Sequence, residues 1–480
     1  MLRMSTLAVL ALVASLSQLP AAAAETGSAD ASAVALPDDL RERAIALRDK
    51  ALGDPRAFDL LASLTTEVGP RPAGSAADKA AVAWAMQNLK ALGFRNVRAE
   101  PVEVPHWDRG DIAAEILAPY PQEVVATALG GSIGTPNEGI TAPVLAVESL
   151  DELKALAASR VRGKIVYIGS RMERHRDGSG YSPAVQKRSD GASEAAKLGA
   201  VAVVIRSVGT DNNRIAHTGM MRYEDGVRKI PAIALSNPDA DLLERQLATG
   251  QDVMFSFTLS ARQLPNEMSA NVIGEIPGDT DEFILLGAHL DSWDAGTGAH
   301  DDGAGVAIVT MAAKLIDEIR GDTRRGIRVV LFANEEFGLT GAKVYRDQQR
   351  DAVKQHAIAM EADFGAGRVW SLSSRVDEAD LPKIAAIHQL LEPLDIERGN
   401  NEAYGGADIN PMVKLGVPVI GPRQDGTLYF DLHHTDNDTL DKVNPEDLRQ
   451  NVAVYAVSAY VAAELDEGFQ RLPNTEDESE

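Results

Sequence analysis

The chain has 480 residues, of which 45% are hydrophobic and 25% charged, a composition typical of a globular protein too long for a single core. Its formal net charge of −24 disfavours nucleic acid and anionic membranes as partners, because both require basic patches. The absence of cysteine excludes disulfide bonds and thiolate metal sites.

The first residues combine a positive start with a short apolar stretch. Arg3 precedes an apolar run over 7–16, and an alanine-rich segment over 20–24 follows. This pattern predicts a secretory signal peptide over 1–24, so we expect export to the periplasm or the extracellular space. An uncleaved anchor is the alternative, but the run is short for a membrane span. We therefore expect no stable membrane insertion after signal cleavage.

The next region has a helical pattern. Apolar residues recur every three or four positions from Leu36 to about Leu64, which predicts a helix there. A break rich in glycine and proline over 69–74 separates it from a second predicted helix, from about Ala77 to Leu92. A strand-like stretch follows, and we assign residues 25–109 to the N-terminal part of a catalytic domain.

Residues from about 110 to 265 differ in character. Short β-branched runs over 164–168 and 202–205 predict strands, and 191–198 predicts a helix. Glycine and proline interrupt this region often, and it holds none of the acid and histidine motifs found later in the chain. These features predict a separate α/β domain, 110–265, inserted into the catalytic one.

From about residue 270 strands and helices alternate. The predicted strands lie at 283–286, 327–332, 357–360 and 417–420, and the predicted helices at 303–319, 339–349, 382–394 and 445–465. The alternation predicts an α/β fold whose mixed, mostly parallel central sheet is flanked by helices. We assign 266–470 to the catalytic domain and 471–480 to an acidic, disordered tail.

Acids and histidines stand at the ends of these apolar runs. The set comprises His289, Asp291, Asp301, Asp302, Glu335, Glu336, Asp363 and His434. The carboxyl ends of parallel strands meet at one edge of a sheet, where α/β enzymes place their chemistry. Imidazole and carboxylate groups in this number suit a pair of zinc ions and a general base, which makes a hydrolase the first hypothesis.

The first two motifs of this set have plausible roles at a metal centre. His289 is a good zinc ligand as a neutral imidazole, and the Asp291 carboxylate can hydrogen-bond its second ring nitrogen and fix the tautomer. The adjacent carboxylates of Asp301 and Asp302 repel each other, and a dication would relieve that repulsion. Asp302 alone is also compatible with a helix cap.

The glutamate pair at 335–336 follows the predicted strand 327–332. Two carboxylates at the end of a buried strand are costly without a partner, and a general base beside a metal ligand would account for both. Spacing alone leaves several rival ligands open, namely His300, His433, Glu361 and Asp302.

Two motifs resemble a known family. Residues 287–294 read GAHLDSWD and residues 298–305 read GAHDDGAG, and both are similar to motifs of the co-catalytic zinc aminopeptidases related to glutamate carboxypeptidase. Short stretches between 188 and 231 are similar to the protease-associated domain of that family. The resemblance covers nearly all of the chain after the signal peptide. It implies the zinc exopeptidase fold with an inserted protease-associated domain.

The resemblance also implies a role for each member of the set. It implies that two zinc ions per chain are held by His289, Asp301, Glu336, Asp363 and His434. Asp301 is then the bridging ligand, Glu335 the general base and Asp291 the residue that orients His289. The substrate-binding residues match the family less clearly, and none is assigned.

The implied function is a zinc-dependent exopeptidase that hydrolyses short peptides or dipeptides at a free terminus through a metal-bridging water. Aminopeptidase, dipeptidase and carboxypeptidase activity all occur in such enzymes, and a homodimer is a possible assembly. The alternatives are single-zinc amide chemistry, such as glutaminyl cyclisation, and a non-catalytic, receptor-like protein on the same fold.

Overall fold

The computed structural model describes residues 32–320 and 323–476. The predicted signal peptide at 1–24 lies outside these residues. Within them, no helix combines the length and the apolar character that a membrane span requires.

The N-terminal segment forms three helices: α1 (Asp38–Gly53), α2 (Arg56–Glu67) and α3 (Ala76–Ala91). The single helix predicted over 36–64 is therefore wrong, because Pro55 follows Asp54 and a proline ring is incompatible with a continuous helix at this point. The next helix was predicted correctly to within a residue. The Ser75 side chain caps it by accepting the backbone N–H of Asp78.

The larger sheet carries the later half of the chain. Its strands, in spatial order, are β1 (Arg95–Asp108), β10 (Arg262–Ile276), β12 (Gly326–Phe332), β11 (Phe283–His289), β13 (His356–Glu361), β16 (Val419–Gln424), β14 (Val369–Arg375) and β15 (Glu397–Arg398). The four central strands, β12, β11, β13 and β16, are parallel to one another. The pairs β1–β10, β10–β12 and β16–β14 are antiparallel. The predicted mixed sheet with a parallel centre is confirmed.

Helices cover both faces of this sheet. They are α8 (Ala304–Arg320), α9 (Thr340–Gln349), α10 (Leu381–Leu391), α11 (Asn410–Lys414) and α12 (Pro445–Glu464). The largest apolar core lies between the sheet and α1, α2, α8, α10 and α12, and a smaller core lies under α9 and α11. Burial on both faces explains why the central strands are continuous apolar runs in the sequence.

A second sheet is built from residues 112–259. Its strands, in spatial order, are β3 (Gln122–Val124), β2 (Ile112–Ala118), β9 (Met254–Leu259), β5 (Ile140–Val147), β6 (Ile165–Ile168), β7 (Ala202–Arg206), β8 (Ala232–Leu235) and β4 (Ala126–Ala128). Its helices are α4 (Leu150–Lys154), α5 (Ala158–Val161), α6 (Tyr181–Lys197) and α7 (Asn237–Leu247). This sheet has its own apolar cores. Its identity as a protease-associated domain stays a prediction.

The C-terminal segment contacts the catalytic domain within the residues that the structure describes. Leu472 donates its backbone N–H to the Gly416 carbonyl, and Glu476 forms an ion pair with Arg350. The disordered tail predicted over 471–480 stays a prediction, and the structure gives residues 472 and 476 these backbone and charge partners. Residues 477–480 lie outside the described part.

The second sheet packs against the first through a glycine and an aromatic ring. Gly130 approaches the indole ring of Trp293, in a loop of the larger sheet, so closely that a Cβ at Gly130 would lie 2.1 Å from the ring. The ring in turn packs against Phe337, with centroids 4.7 Å apart. Only glycine permits this approach of the backbone to the indole.

Substitution of Gly130 tests this contact. We expect Gly130→Ala to lower the free energy of unfolding by about 1–3 kcal/mol, as overpacking does, and to lower the melting temperature measured by calorimetry. Gly53→Ala is the matched control, because a Cβ there would meet no atom within 4 Å. An unchanged melting temperature for Gly130→Ala would contradict the close packing of the two sheets.

Candidate metal centre

The parallel strands bring distant motifs to one edge of the larger sheet. His289 is the last residue of β11, the pair Glu335 and Glu336 follows β12, and Asp363 follows β13. Because these strands are parallel neighbours, their carboxyl ends lie side by side. The structure therefore brings together the residues that the sequence singled out.

The Asp301 carboxylate lies at the centre of this cluster. Its Oδ1 is 3.1 Å from His289 Nε2, and its Oδ2 is 3.2 Å from His434 Nε2. Asp363 Oδ1 lies 3.5 Å from the same nitrogen of His289, and Glu336 Oε2 lies 3.1 Å from the same nitrogen of His434. Two groups of potential ligands thus share one carboxylate, each group consisting of a histidine and a further acid.

Burial makes this cluster electrostatically costly without cations. Burial raises the pKa of Glu335, Glu336 and Asp363, and the charges of neighbouring carboxylates raise it further. Burial favours neutral His289, but the carboxylate of Asp363 and its neighbours outweigh it and raise the pKa of the imidazole. Divalent cations would relieve the repulsion that these shifts express.

Two buried oxygen atoms are consistent with a metal at each side of Asp301. Asp301 Oδ2 and Glu336 Oε1 accept no hydrogen bond within the described residues. Buried carboxylate oxygens are rarely left in this state. Carboxylate and imidazole ligands in this number are also the donor set that zinc prefers in catalytic sites, so the residues fit a pair of zinc ions.

Two rival carboxylates are occupied by backbone donors. Asp302 accepts the N–H of His289 at 3.1 Å with one oxygen and that of Gly305 at 3.0 Å with the other. Glu361 accepts two backbone N–H groups in the same way, from residues 408 and 409. A ligand atom of Asp302 also lies within 4.8 Å of ligand atoms of His289 and Asp363, so Asp302 stays a rival ligand despite these hydrogen bonds.

The rival histidines differ in how close they come to Asp301. His433 Nε2 lies 3.6 Å from Asp301 Oδ2, farther than His434, and its ring stacks on that of His434. His300 has no place among the clustered ligand atoms, and burial lowers its pKa to about 4. Geometry thus favours His434, which faces both Asp301 and Glu336. The assignment of ligands stays a prediction.

Asp291 supports the centre in a different way than predicted. The Nδ1 of His289 lies 3.0 Å from the backbone carbonyl oxygen of Asp291, whereas the carboxylate is 3.7 Å away and makes no hydrogen bond to the ring. The carboxylate instead accepts the backbone N–H groups of Glu335 at 3.0 Å and Glu336 at 3.4 Å. Asp291 therefore fixes both the ring of His289 and the glutamate loop.

Two supporting residues were missed by the sequence analysis. Asp438 accepts the N–H of His300 at 2.6 Å and that of Asp301 at 3.2 Å. Arg71 is fully buried and donates to the carbonyl oxygens of Leu290 and Gly298. Neither residue belongs to a motif, and Arg71 lies in the Gly-Pro-Arg-Pro break, so no local signal marked them.

The second sheet holds the segment that carries His434. The N–H of Thr218 donates to the His434 carbonyl at 3.0 Å, and His217 Nδ1 lies 2.8 Å from the His433 carbonyl. His217 is itself held by Asp211 at 2.5 Å. His434 has a φ of 63°, a conformation that non-glycine residues adopt only when their surroundings impose it.

A cavity of about 570 Å³ opens beside the cluster. Its lining includes Glu335, Asp363 and His434 of the cluster. Tyr181 and Arg188 line it from α6, and the aromatic residues Phe364, Tyr429 and Phe430 complete this part of the wall. This volume is typical of a pocket for a small ligand.

Comparison with known proteins gives consistent matches. Residues 271–459 match the family model described as Peptidase family M28. Carboxypeptidase Q from Mus musculus is 37% identical over 420 residues, which is 87% of each chain.

Solved structures show the same fold. The crystal structure of a peptidase M28 precursor from Shewanella amazonensis SB2B has a TM-score of 0.89 and 50% identity, covering 91% of this chain and 99% of its own. The aminopeptidase from Aneurinibacillus sp. strain AM-1 has a TM-score of 0.61 at 23% identity, covering 88% of this chain and 96% of its own, and supports the fold alone.

Proposed function

The chain belongs to peptidase family M28 and is a metallopeptidase, and we propose that it is a two-zinc exopeptidase that cleaves short peptides at a free terminus. The likeness to carboxypeptidase Q over 87% of both chains confirms the family that the motifs predicted. The observation that carries the proposal is the Asp301 carboxylate, whose two oxygens face two separate histidine and acid pairs.

The residues divide into ligands and a base. We assign His289 and Asp363 to one zinc ion, Glu336 and His434 to the other, and Asp301 to both. When bound, such a zinc pair supplies a water of lowered pKa and polarises the scissile carbonyl.

Glu335 is the general base of this proposal. It lines the cavity, yet it is not among the residues whose ligand atoms cluster. Its backbone N–H donates to the Asp291 carboxylate at 3.0 Å, which fixes the loop that carries this residue. A carboxylate in this position takes a proton from the attacking water and gives it to the leaving amine.

The cavity sets the size of the substrate. About 570 Å³ accommodates a few residues of peptide, and aromatic side chains line the cavity together with the carboxylates. The names of similar proteins include a carboxypeptidase and an aminopeptidase, so they do not decide which terminus is recognised. Dipeptides and peptides with an unblocked N-terminus are the first choice. Export remains a further proposal.

Metal content tests the ligand assignment. We expect two zinc ions per chain in the wild type by elemental analysis, about one in His289→Ala or His434→Ala, and none retained firmly by Asp301→Asn, because the bridging ligand serves both sites. His388→Ala, a substitution on α10 away from the cluster, is the matched control. One zinc in the wild type would favour cyclisation-type chemistry, and none would favour a receptor-like role.

Removal of the base should separate binding from turnover. We expect Glu335→Gln to keep both zinc ions and to lose turnover by about 10²- to 10⁴-fold, the usual contribution of general acid–base catalysis. The control is Glu42→Gln on the exposed part of α1, which should keep full activity. Near-full activity of Glu335→Gln would show that the base lies elsewhere.

A substrate panel tests the activity itself. Free dipeptides, N-blocked dipeptides and C-terminal amides are incubated with the metal-loaded protein, with and without a chelator, and released amino acids are measured. We expect chelator-sensitive release from free dipeptides and no release from N-blocked ones. No release from any free dipeptide or short peptide would contradict the proposed function.

A further inference from the structure

His217 and Asp211 form a buried pair that the proposed mechanism does not use. They lie between β7 and β8 of the second sheet, and the histidine is 1% and the aspartate 7% exposed. Asp211 Oδ2 lies 2.5 Å from His217 Nε2, and the other ring nitrogen, Nδ1, lies 2.8 Å from the carbonyl oxygen of His433. Because a carbonyl oxygen only accepts, Nδ1 carries a hydrogen and donates it to the loop beside the candidate metal centre.

The surroundings of this pair fix the imidazole in its orientation. The backbone N–H of Asn213 donates to the second carboxylate oxygen of Asp211 at 2.7 Å. The Ser207 hydroxyl accepts the backbone N–H of His217 at 2.8 Å. A Cβ at Gly209 would lie 2.2 Å from the imidazole, so only glycine leaves room for the ring. Since desolvation offsets the attraction within a buried pair, the pair is better suited to fixing geometry than to adding stability.

Residues 217 and 218 hold both peptide groups that flank the α-carbon of His434. His217 donates to the carbonyl oxygen of His433, in the peptide group that precedes this α-carbon. Thr218 donates its backbone N–H to the His434 carbonyl oxygen at 3.0 Å, in the peptide group that follows it. Because peptide groups are planar, the two contacts set the backbone of His434, including its φ of 63°, and thereby the direction of its side chain.

A third contact sets the ring of His434. Its Nδ1 lies 3.4 Å from the carbonyl oxygen of Thr218, which only accepts, so the hydrogen of the neutral imidazole is on Nδ1. The lone pair is then on Nε2, the nitrogen that lies 3.2 Å from Asp301 and 3.1 Å from Glu336. Hydrogen bonds to the far nitrogen of a ligating histidine fix its tautomer and its orientation.

The two candidate zinc sites therefore differ in what holds their histidine. His289 is held from within the larger sheet, by the Asp291 carbonyl oxygen at its Nδ1 and by the Asp302 carboxylate at its backbone N–H. His434 is held from the second sheet, at its backbone and at its ring. A change between β7 and β8 should thus affect one site and leave the other as it is.

We propose that His217, fixed by Asp211, is a positioning residue for His434, and that the second sheet thereby sets the zinc affinity of one site only. This inference rests on the proposed two-zinc function. It adds a residue that belongs neither to the cavity lining nor to the clustered ligand atoms. The larger sheet then supplies the ligands of this site, and the second sheet determines how well His434 is placed among them.

Zinc affinity in two variant backgrounds tests the proposal. In His289→Ala, we expect His217→Leu to weaken binding of the remaining zinc by about 10- to 100-fold, the range for residues that orient metal ligands. In His434→Ala, the same substitution should leave the affinity for the remaining zinc unchanged, because its effect acts through the histidine already removed. Competition with a chromophoric chelator measures both affinities. Equal weakening in both backgrounds, or none in His289→Ala, would overturn the proposal.

Two further variants separate positioning from a general loss of stability. His356→Leu is the matched control, since His356 is as deeply buried as His217 and begins β13, at the end of that strand opposite the candidate metal centre. Whatever its effect on the melting temperature, it should change neither zinc affinity, and a change would overturn the proposal. His217→Asn keeps an N–H donor on the Nδ1 side, so it should lose less affinity than His217→Leu. Equal losses would show that the hydrogen bond to His433 is not the cause.

Hydrogen–deuterium exchange of the metal-free protein separates this inference from the proposed function. The amides of His433 and Thr435 donate to carbonyl oxygens of their own loop at 2.9 and 3.1 Å, so their exchange reports opening of the loop. We expect faster exchange over 429–436 in His217→Leu and unchanged exchange in His356→Leu. Unchanged exchange in His217→Leu would overturn the positioning role. Absence of zinc from the wild type would contradict the two-zinc function, and the exchange would still decide whether His217 positions this loop.

Discussion

The sharing of one buried carboxylate by two histidines is the constraint on which the rest of the structure depends. The oxygens of Asp301 face His289 on one side and His434 on the other, and these residues come from distant segments. Each histidine has a second acid beside it. A single strand or loop cannot present two such pairs to one carboxylate, so the chain must hold Asp301 from several directions.

Hydrogen bonding from the backbone divides the buried acids of this region into two kinds. Asp291, Asp302, Glu361 and Asp438 each accept two backbone N–H groups and so fix the loops that end the strands. Asp301 and Glu336 keep buried oxygens that accept no hydrogen bond among the described residues. The first kind stabilises geometry at little electrostatic cost. The proposed function assigns the second kind to cations, whose charge would offset the mutual repulsion.

The second sheet contributes to the site although it carries none of the proposed ligands. Thr218 and His217 hold the carbonyl oxygens of the two adjacent histidines, and Gly130 lets the Trp293 loop pack closely. Arg188 reaches the cavity from the same sheet. The larger sheet and its loops thus supply the proposed metal ligands. The second sheet holds the loops that carry them and contributes Arg188 to the cavity wall.

The sequence alone determined the parallel strands and the positions of the acids at their ends, because strands buried on both faces are continuous apolar runs and polar residues interrupt them only where the chain leaves the sheet. It did not reveal β14, whose buried serines give no apolar run, or the division of α1 from α2 at Pro55. Only the tertiary structure gave Asp302 its two backbone donors, gave Asp291 its contacts and set Arg188 beside His434. These choices depend on which donors and charges lie within a few ångströms across distant segments, and no local pattern of residues records such distances.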